Sequence, residues 1–318
     1  MQILWMTAAA LTLLACEAGA QNNLVDQHIA AARAAAGEHA SMVDRLCPRE
    51  AASSQRPAGA RQPPRGTPAR EDWYAEPVRV FDNLFYVGMT EFSTWAVITS
   101  AGIIVIDPIF DYSVEAEVVE GLQKLGMDPA DIRYVLISHG HGDHAGGAKF
   151  LQDKFGARVV MGAADWEMLE EQDPSWKPVR DIVVNEDRDL TLGATTLELV
   201  LTPGHTWGTI STLIPVRDGS TDHVAALWGG TLFNFGPEPE RFSAYADSAE
   251  RFLAIARRAG ADIVLSNHTD YDGSKEKIPA LANRGPGDPH PYVVGTDSIE
   301  RYLTVAHECA LAALASVR

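Results

Sequence analysis

One stretch limits what this chain can become more than any other: Tyr134-Val-Leu-Ile-Ser-His-Gly-His-Gly-Asp-His-Ala-Gly-Gly147. It opens with an apolar run, Tyr134 to Ile137, of the kind a buried strand shows. It then breaks into His139, His141, Asp143 and His144, three imidazoles and a carboxylate within six residues. Nitrogen and oxygen donors of this type suit Zn²⁺, whose catalytic sites use them and leave a position for water. The interleaved Gly140 and Gly142 let the loop turn tightly and keep side chains away from an ion. Asp143 and His144 are adjacent, so they can point to different places. One ion can take His139 and His141, and a neighbouring ion can take Asp143 and His144. A His-rich surface loop is the simpler alternative, but it does not explain why the ligands follow a buried strand.

Two more histidines end apolar runs in the same way. His205 lies in Thr202-Pro-Gly-His-Thr-Trp-Gly208, after Leu197 to Leu201, and His268 lies in Val264-Leu-Ser-Asn-His-Thr269, after Ile263 to Leu265. A single histidine at a strand end is ordinarily a hydrogen-bonded structural residue. Three strand ends that all close on ligand-type residues point to one metal centre.

HxHxDH, then GHT-x-G, then a late histidine resembles the metallo-β-lactamase-fold hydrolases, from about Val78 to His268. The resemblance implies two zinc ions, the first held by His139, His141 and His205 and the second by Asp143, His144 and His268. It implies hydrolysis of a carbonyl substrate by activated water, with Asp143 orienting the water and passing on a proton. Gly229-Gly230-Thr231 bears on the subclass. Glyoxalase II-type members carry a bridging Asp at the middle position, and the first lactamase subclass carries a Cys at the third. This chain has neither, which resembles the third lactamase subclass. The first subclass also places a substrate-binding Lys three residues beyond its Cys, where this chain has Asn234. Hydroxyls of Thr231, Thr269 and Tyr271 are the expected substitutes. Arg284, in a Pro/Gly-rich segment between Tyr271 and Tyr292, is a candidate anion-holder on the pocket wall. The expected reaction is hydrolysis of a cyclic amide, a β-lactam, by a small-molecule enzyme. A lactonase, esterase or thioesterase is the alternative, and a non-hydrolytic metal-binding or di-iron redox protein is a more distant one.

The remaining sequence sets the frame. The 318 residues are 46% hydrophobic and 22% charged, enough for a large core. A formal charge of -17 argues against nucleic acid as a partner. Ile3 to Leu14 is apolar but too short to span a membrane. Residues 1–20 read as an export signal cleaved after Ala18-Gly-Ala20. Leu13-Leu-Ala-Cys16 offers a lipid anchor at Cys16 as the alternative, and either way export to a bacterial periplasm is expected. Residues 21–70 read as an Ala-rich helical extension followed by a Pro/Ala/Arg-rich linker, and residues 71–318 as the catalytic domain. Strands are expected at Val78 to Phe81, Leu84 to Val87, Trp95 to Thr99, Ile103 to Ile106, Val159 to Met161 and Val224 to Leu227. Helices are expected at Val114 to Leu125, Ala145 to Phe155, Ala163 to Glu171, Ser248 to Ala259 and Asp297 to Ser316. Strands and helices alternate in two halves, which supports an α+β, four-layer αββα sandwich with the metals at one edge. Cys47 and Cys309 form an even pair in an exported chain and are expected to be bonded. Nothing in the sequence fixes an oligomeric state.

Overall fold

The computed structural model describes residues 21, 23–48 and 67–318. The expected export segment with Cys16, and most of the expected linker, lie outside the described residues.

Two sheets form the centre. The first has seven strands in chain order: β1 (Val78–Arg79), β2 (Leu84–Tyr86), β3 (Trp95–Thr99), β4 (Gly102–Ile106), β5 (Ile132–Leu136), β6 (Arg158–Gly162) and β7 (Ile182–Val184). The first four pair antiparallel, and β4 through β7 pair parallel. The second sheet has the order β12-β11-β10-β9-β8, from β8 (Arg188–Leu192), β9 (Thr195–Leu201), β10 (Ile210–Asp218), β11 (Thr221–Trp228) and β12 (Ile263–Ser266). Here only β11 and β12 are parallel. Central β4, Gly-Ile-Ile-Val-Ile, is buried on both faces, as β-branched runs in covered parallel sheets are.

Three apolar layers hold the stack together. Leu84, Trp95, Ile104 and Leu136 of the first sheet meet Leu197, Ile214, Leu227 and Leu265 of the second in the sandwich interior. The outer face of the first sheet is covered by a π-helical turn at Glu115–Val119 with α3 (Glu120–Lys124), and by α5 (Ala148–Phe155) and α6 (Ala163–Gln172). The outer face of the second sheet is covered by α7 (Pro239–Arg258), α10 (Thr296–Val317) and an N-terminal pair, α1 (residues 23–35) and α2 (Ala40–Leu46). The result is the expected αββα sandwich. Cys47 and Cys309 are disulfide-bonded, which ties the end of α2 to α10.

Three helices differ from expectation. The helix expected at Ala145 to Phe155 is split into α4 (Gly142–Ala145) and α5. The break falls at Gly146–Gly147, where a Cβ on Gly147 would lie 2.1 Å from the Pro108 carbonyl oxygen. That close approach of two backbones admits only glycine. Helix α7 begins nine residues earlier than expected, at Pro239, a residue favoured at the first helical position. The helix expected at Val114 to Leu125 opens with the π-helical turn.

Candidate active site

The chain's topology delivers the candidate ligands to one edge. Strands β4, β5 and β6 run parallel, so the segments after their C-terminal ends share that edge. They carry Asp107, the His139–His144 loop and Asp165. In the second sheet β9, β11 and β12 run the same way and end just before His205, Gly229–Gly230 and His268. Ligands in parallel sheets gather beyond the carboxyl ends of the strands for this reason.

His205 Nε2 lies 3.0 Å from His139 Nε2 and 3.1 Å from His141 Nδ1. His144 Nε2 lies 3.2 Å from His268 Nε2 and 3.3 Å from Asp143 Oδ2. Asp143 Oδ2 lies 3.9 Å from His268 Nε2. The rings of His139 and His144 are 4.3 Å apart, so the two trios adjoin. Donors about 2.0–2.1 Å from a tetrahedral ion lie ~3.3 Å from one another, close to four of these five separations; His139 also lies within 4.8 Å of both Asp143 and His144.

Tautomers test the fit to a metal. His139 Nδ1 is 2.8 Å from the Gly229 carbonyl, and His205 Nδ1 is 2.6 Å from the Leu232 carbonyl. A carbonyl only accepts, so both Nδ1 atoms carry the proton. Both Nε2 atoms then present lone pairs to each other in a buried place. Neither pairs with the other favourably unless a cation lies between them. Burial first, and the surrounding imidazoles second, hold His139 well below the usual histidine range. Burial likewise brings His205 and His268 down to about 3, so all three are neutral, the ligating form. Burial opposes the charge on Asp143, but His144, His268 and His141 outweigh it and hold the carboxyl below its ordinary range. Burial also opposes a charge on His144, yet Asp143 and Asp107 lift it to about 10, so His144 carries a proton that a bound ion must displace before that ring can ligate. A site in which one carboxylate draws this much positive charge suits a cation.

Three supporting residues were not anticipated. Asp107, directly after β4, accepts from the Ser138 N–H at 2.7 Å and from Ser138 Oγ at 2.6 Å. Its other neighbour is His144 Nδ1 at 3.3 Å, without the alignment of a hydrogen bond. Asp107 has φ of 55°, an uncommon value for a non-glycine residue and one found at strained functional turns. Asn267 donates to the Gly229 carbonyl at 2.7 Å, beside His139. Asp165, in the first turn of α6, accepts from the Gly140 and Gly208 N–H groups. An acid straight after a strand, as in Ile106-Asp107-Pro108, is a sequence signal that could have found the first of them.

The expected substrate contacts are placed differently. Thr231 is buried, with its hydroxyl 3.3 Å from that of Tyr302. The Thr269 hydroxyl donates to the Thr90 carbonyl at 2.7 Å. Tyr271 is buried beneath Arg45, its ring 6.1 Å from that of His268. Asn234 is exposed on the loop after β11. Arg284 is not on the pocket wall. It pairs with Asp218 through two hydrogen bonds at 3.0 and 2.6 Å. Asp218 ends β10, a nine-residue strand whose first residue, Ile210, bonds to Ser138 beside the cluster. Arg284 is thus roughly 26 Å from the histidines along that strand. A Pro/Gly-rich segment with an arginine gives no sequence cue to which end of the sandwich it reaches.

The surroundings of the cluster are aromatic, and the nearby cations are already engaged. Phe92 packs on His268 and on Phe110, and Phe110 stacks on Tyr112. Trp176 lies against Gly142, and Trp207, next but one to His205, is 49% exposed. Arg241 donates to the carbonyls of Gly204 and His205 and lies over the Phe235 ring. Arg45 pairs with Asp270, and Lys275 pairs with Asp270 and Glu91.

Residues 90–219 match the family model of the metallo-beta-lactamase superfamily. Among curated proteins, a hydroxyacylglutathione hydrolase of Acidiphilium cryptum (strain JF-5) is 32% identical over 38% of this chain and 42% of its own length. A hydroxyacylglutathione hydrolase of Shewanella pealeana (strain ATCC 700345 / ANG-SQ1) is 32% identical over 49% of this chain and 50% of its own. The chain therefore spans about half the length of the curated relatives it matches. Among solved structures, BJP-1, a subclass B3 metallo-beta-lactamase of Bradyrhizobium japonicum, is 28% identical with a TM-score of 0.63, covering 74% of this chain and 91% of its own. The metallo-beta-lactamase GOB-18 from Elizabethkingia meningoseptica has a TM-score of 0.61 at 22% identity, covering 79% of this chain and 96% of its own, a likeness of fold alone. The chain has the metallo-β-lactamase αββα fold, with His/Asp metal-binding motifs that resemble those of subclass B3.

Proposed function

We propose that the protein is a metal-dependent hydrolase of an ester, thioester or lactone whose acyl group carries no negative charge. The observation that carries the reading is the pair of ligand trios, complete at one edge and ringed by aromatic side chains with no free cation among the described residues named there. His139, His141 and His205 would hold one ion, and Asp143, His144 and His268 a second. Zinc in such a setting supplies Lewis acidity, which polarises a carbonyl and makes water acidic enough to react at neutral pH.

The chain's own groups do the rest. Asp143 stays ionised among its imidazole neighbours and accepts a hydrogen bond from the attacking water, which orients it. Held ionised, Asp143 has no proton of its own to give, and the only one it can pass to an amine leaving group is the one it takes from the attacking water. Alkoxide and thiolate leave with less help, which favours esters and thioesters over amides. Away from the ions, a carboxylate on the substrate would find no free side-chain cation among the residues named above, and neutral hydrogen bonds are roughly half as strong as charge-assisted ones. The curated hydroxyacylglutathione hydrolases support a thioester or ester carbonyl as the reacting group.

β-Lactam hydrolysis is the second reading. It is supported by the likeness to BJP-1 and by Gly230, where a Cβ would lie 2.5 Å from that of His205. That contact leaves no room for a bridging carboxylate. Export is part of the proposal, and the Cys47–Cys309 bond supports an oxidising compartment. The test is steady-state kinetics on zinc-loaded protein with an apolar ester, a thioester, a lactone, a penicillin and a carbapenem, with and without chelator. We expect chelator-sensitive turnover with the uncharged esters, and with the β-lactams only at high KM. Efficient carbapenem turnover with none of the esters would replace the first reading by the second.

A further inference from the structure

We infer that Asp165 is a positioning residue for the first metal trio, holding the two ligand-bearing loops in register across the sheets. The inference rests on the metal-centre reading above, but not on any substrate. His139 and His141 come from the loop after β5 in the first sheet, and His205 comes from the loop after β9 in the second. Something must fix their separation, since all three donors have to meet at one point.

Asp165 is 1% exposed and has no cationic partner among its hydrogen bonds. Its Oδ2 accepts from the Gly140 N–H at 2.7 Å and from the Thr206 hydroxyl at 2.7 Å, and its Oδ1 accepts from the Gly208 N–H at 2.9 Å. Gly140 lies between His139 and His141, and Thr206 follows His205. One carboxylate thus binds a residue adjacent to every ligand of the trio. The Thr206 hydroxyl is in turn 2.8 Å from Thr209 Oγ1, which accepts from the Thr206 N–H at 2.9 Å, so the second loop is braced internally.

The packing is built for this contact. A Cβ on Gly208 would lie 2.6–2.7 Å from Asp165 atoms, and a Cβ on Gly162, which precedes α6, would lie 2.0 Å from the Gly208 carbonyl oxygen. The loop therefore lies directly on the start of α6. A buried carboxylate needs donors for its lone pairs, and here two of the three are loop backbone. An amide in its place must turn its NH₂ toward the Gly140 N–H or the Gly208 N–H. Either choice sets donor against donor. An acid in the first turn of a helix is ordinarily there to face the helix dipole, which is why the sequence gives no hint of this role.

The experiment measures zinc affinity by competition with a chelating dye, and the absorption spectrum of the cobalt-loaded protein, for wild type, Asp165→Asn, Asp165→Ala and Thr206→Val. Outer contacts of metal ligands are typically worth about 10–100-fold in affinity. We expect that loss at one of the two sites, with the other unchanged, for both Asp165 variants, a smaller loss for Thr206→Val, and a shifted cobalt spectrum. Affinity within twofold of wild type in folded Asp165→Ala overturns the inference. If that variant does not fold, Thr206→Val decides: unchanged affinity and an unchanged cobalt spectrum overturn it. A wild-type chain that binds zinc tightly but hydrolyses nothing tells against the proposed function and leaves the role of Asp165 to be read from these affinities.

Discussion

Asp143 serves the site both as a ligand and as a hydrogen-bond acceptor, and its three imidazole neighbours keep it charged for both. Replacing it with alanine removes one donor of the second trio and the acceptor for water. Asp143→Ala is expected to bind one zinc ion in place of two and to lose about 10²–10⁴-fold in kcat, a typical worth for a positioned acid–base group. Metal analysis after gel filtration, together with turnover, checks both. Glu117, which is not a ligand, shows the opposite case. It is 1% exposed, accepts from the Ala75 N–H at 3.0 Å, and burial pushes its carboxyl up to about 8 from an ordinary 4.5. The native state therefore holds a proton that the unfolded chain releases above pH 4.5, so stability falls as pH rises from there to about 8. The slope is about 1.4 kcal/mol per pH unit. Glu117→Gln keeps the acceptor without the charge. It should match wild type near pH 4 and unfold at a higher temperature than wild type at pH 8, as read by calorimetry.

Elements carry the site by where they stop. The loop after β11 brings Gly229 and Gly230 against His139 and His205, and the Gly229 carbonyl fixes the His139 tautomer. Gly230→Ala places a methyl group 2.5 Å from the His205 Cβ, so one of them must move. The expected outcome is a folded protein with weakened zinc binding at the first trio, measured by the same dye competition. The N-terminal pair of helices is fastened differently. Ile29, Met42 and Leu46 pack into the layer formed by α7 and α10, and the disulfide closes a sequence separation of 262 residues. A bond across so long a loop is expected to stabilise by about 2–5 kcal/mol. Cys47→Ala with Cys309→Ala should lower the denaturant midpoint accordingly, and should leave kcat within about twofold because neither cysteine touches a ligand. A midpoint equal to that of the oxidised wild type would mean the unfolded chain gains nothing from the missing link.

At the scale of the molecule, each proposed trio draws on both sheets. His139, His141, Asp143 and His144 come from the first sheet, and His205 and His268 from the second. Bound ions therefore cross-link the two halves that the interior apolar layer already holds together. A ligand that binds only the folded state adds about 2.7 kcal/mol per site at a hundredfold excess over its Kd. Chelation is expected to lower the melting temperature by roughly 5 °C or more, and added zinc to restore it. An unchanged melting temperature would mean that no ion binds preferentially to the folded state.

Much of this was written locally in the chain. The six candidate ligands, the alternation of strands and helices, and the pairing of two cysteines depend on residue type and short spacing, which a sequence displays directly. The ligand donor set follows from chemistry: imidazole and carboxylate at strand ends have few other uses in such numbers. Other features arose only when distant segments met. Asp107 and Asp165 look like ordinary acids until parallel strands place them under the histidine loops. Thr231 and Thr269 look like substrate contacts until Tyr302 and the Thr90 carbonyl claim their hydroxyls. Arg284 looks like an anion-holder until Asp218 takes it at the far end of β10. The reason is the same in each case. A side chain's type sets what it can bond to, but a hydrogen bond or ion pair reaches only about 3 Å. Which partner comes within that reach is decided by the packing of the two sheets.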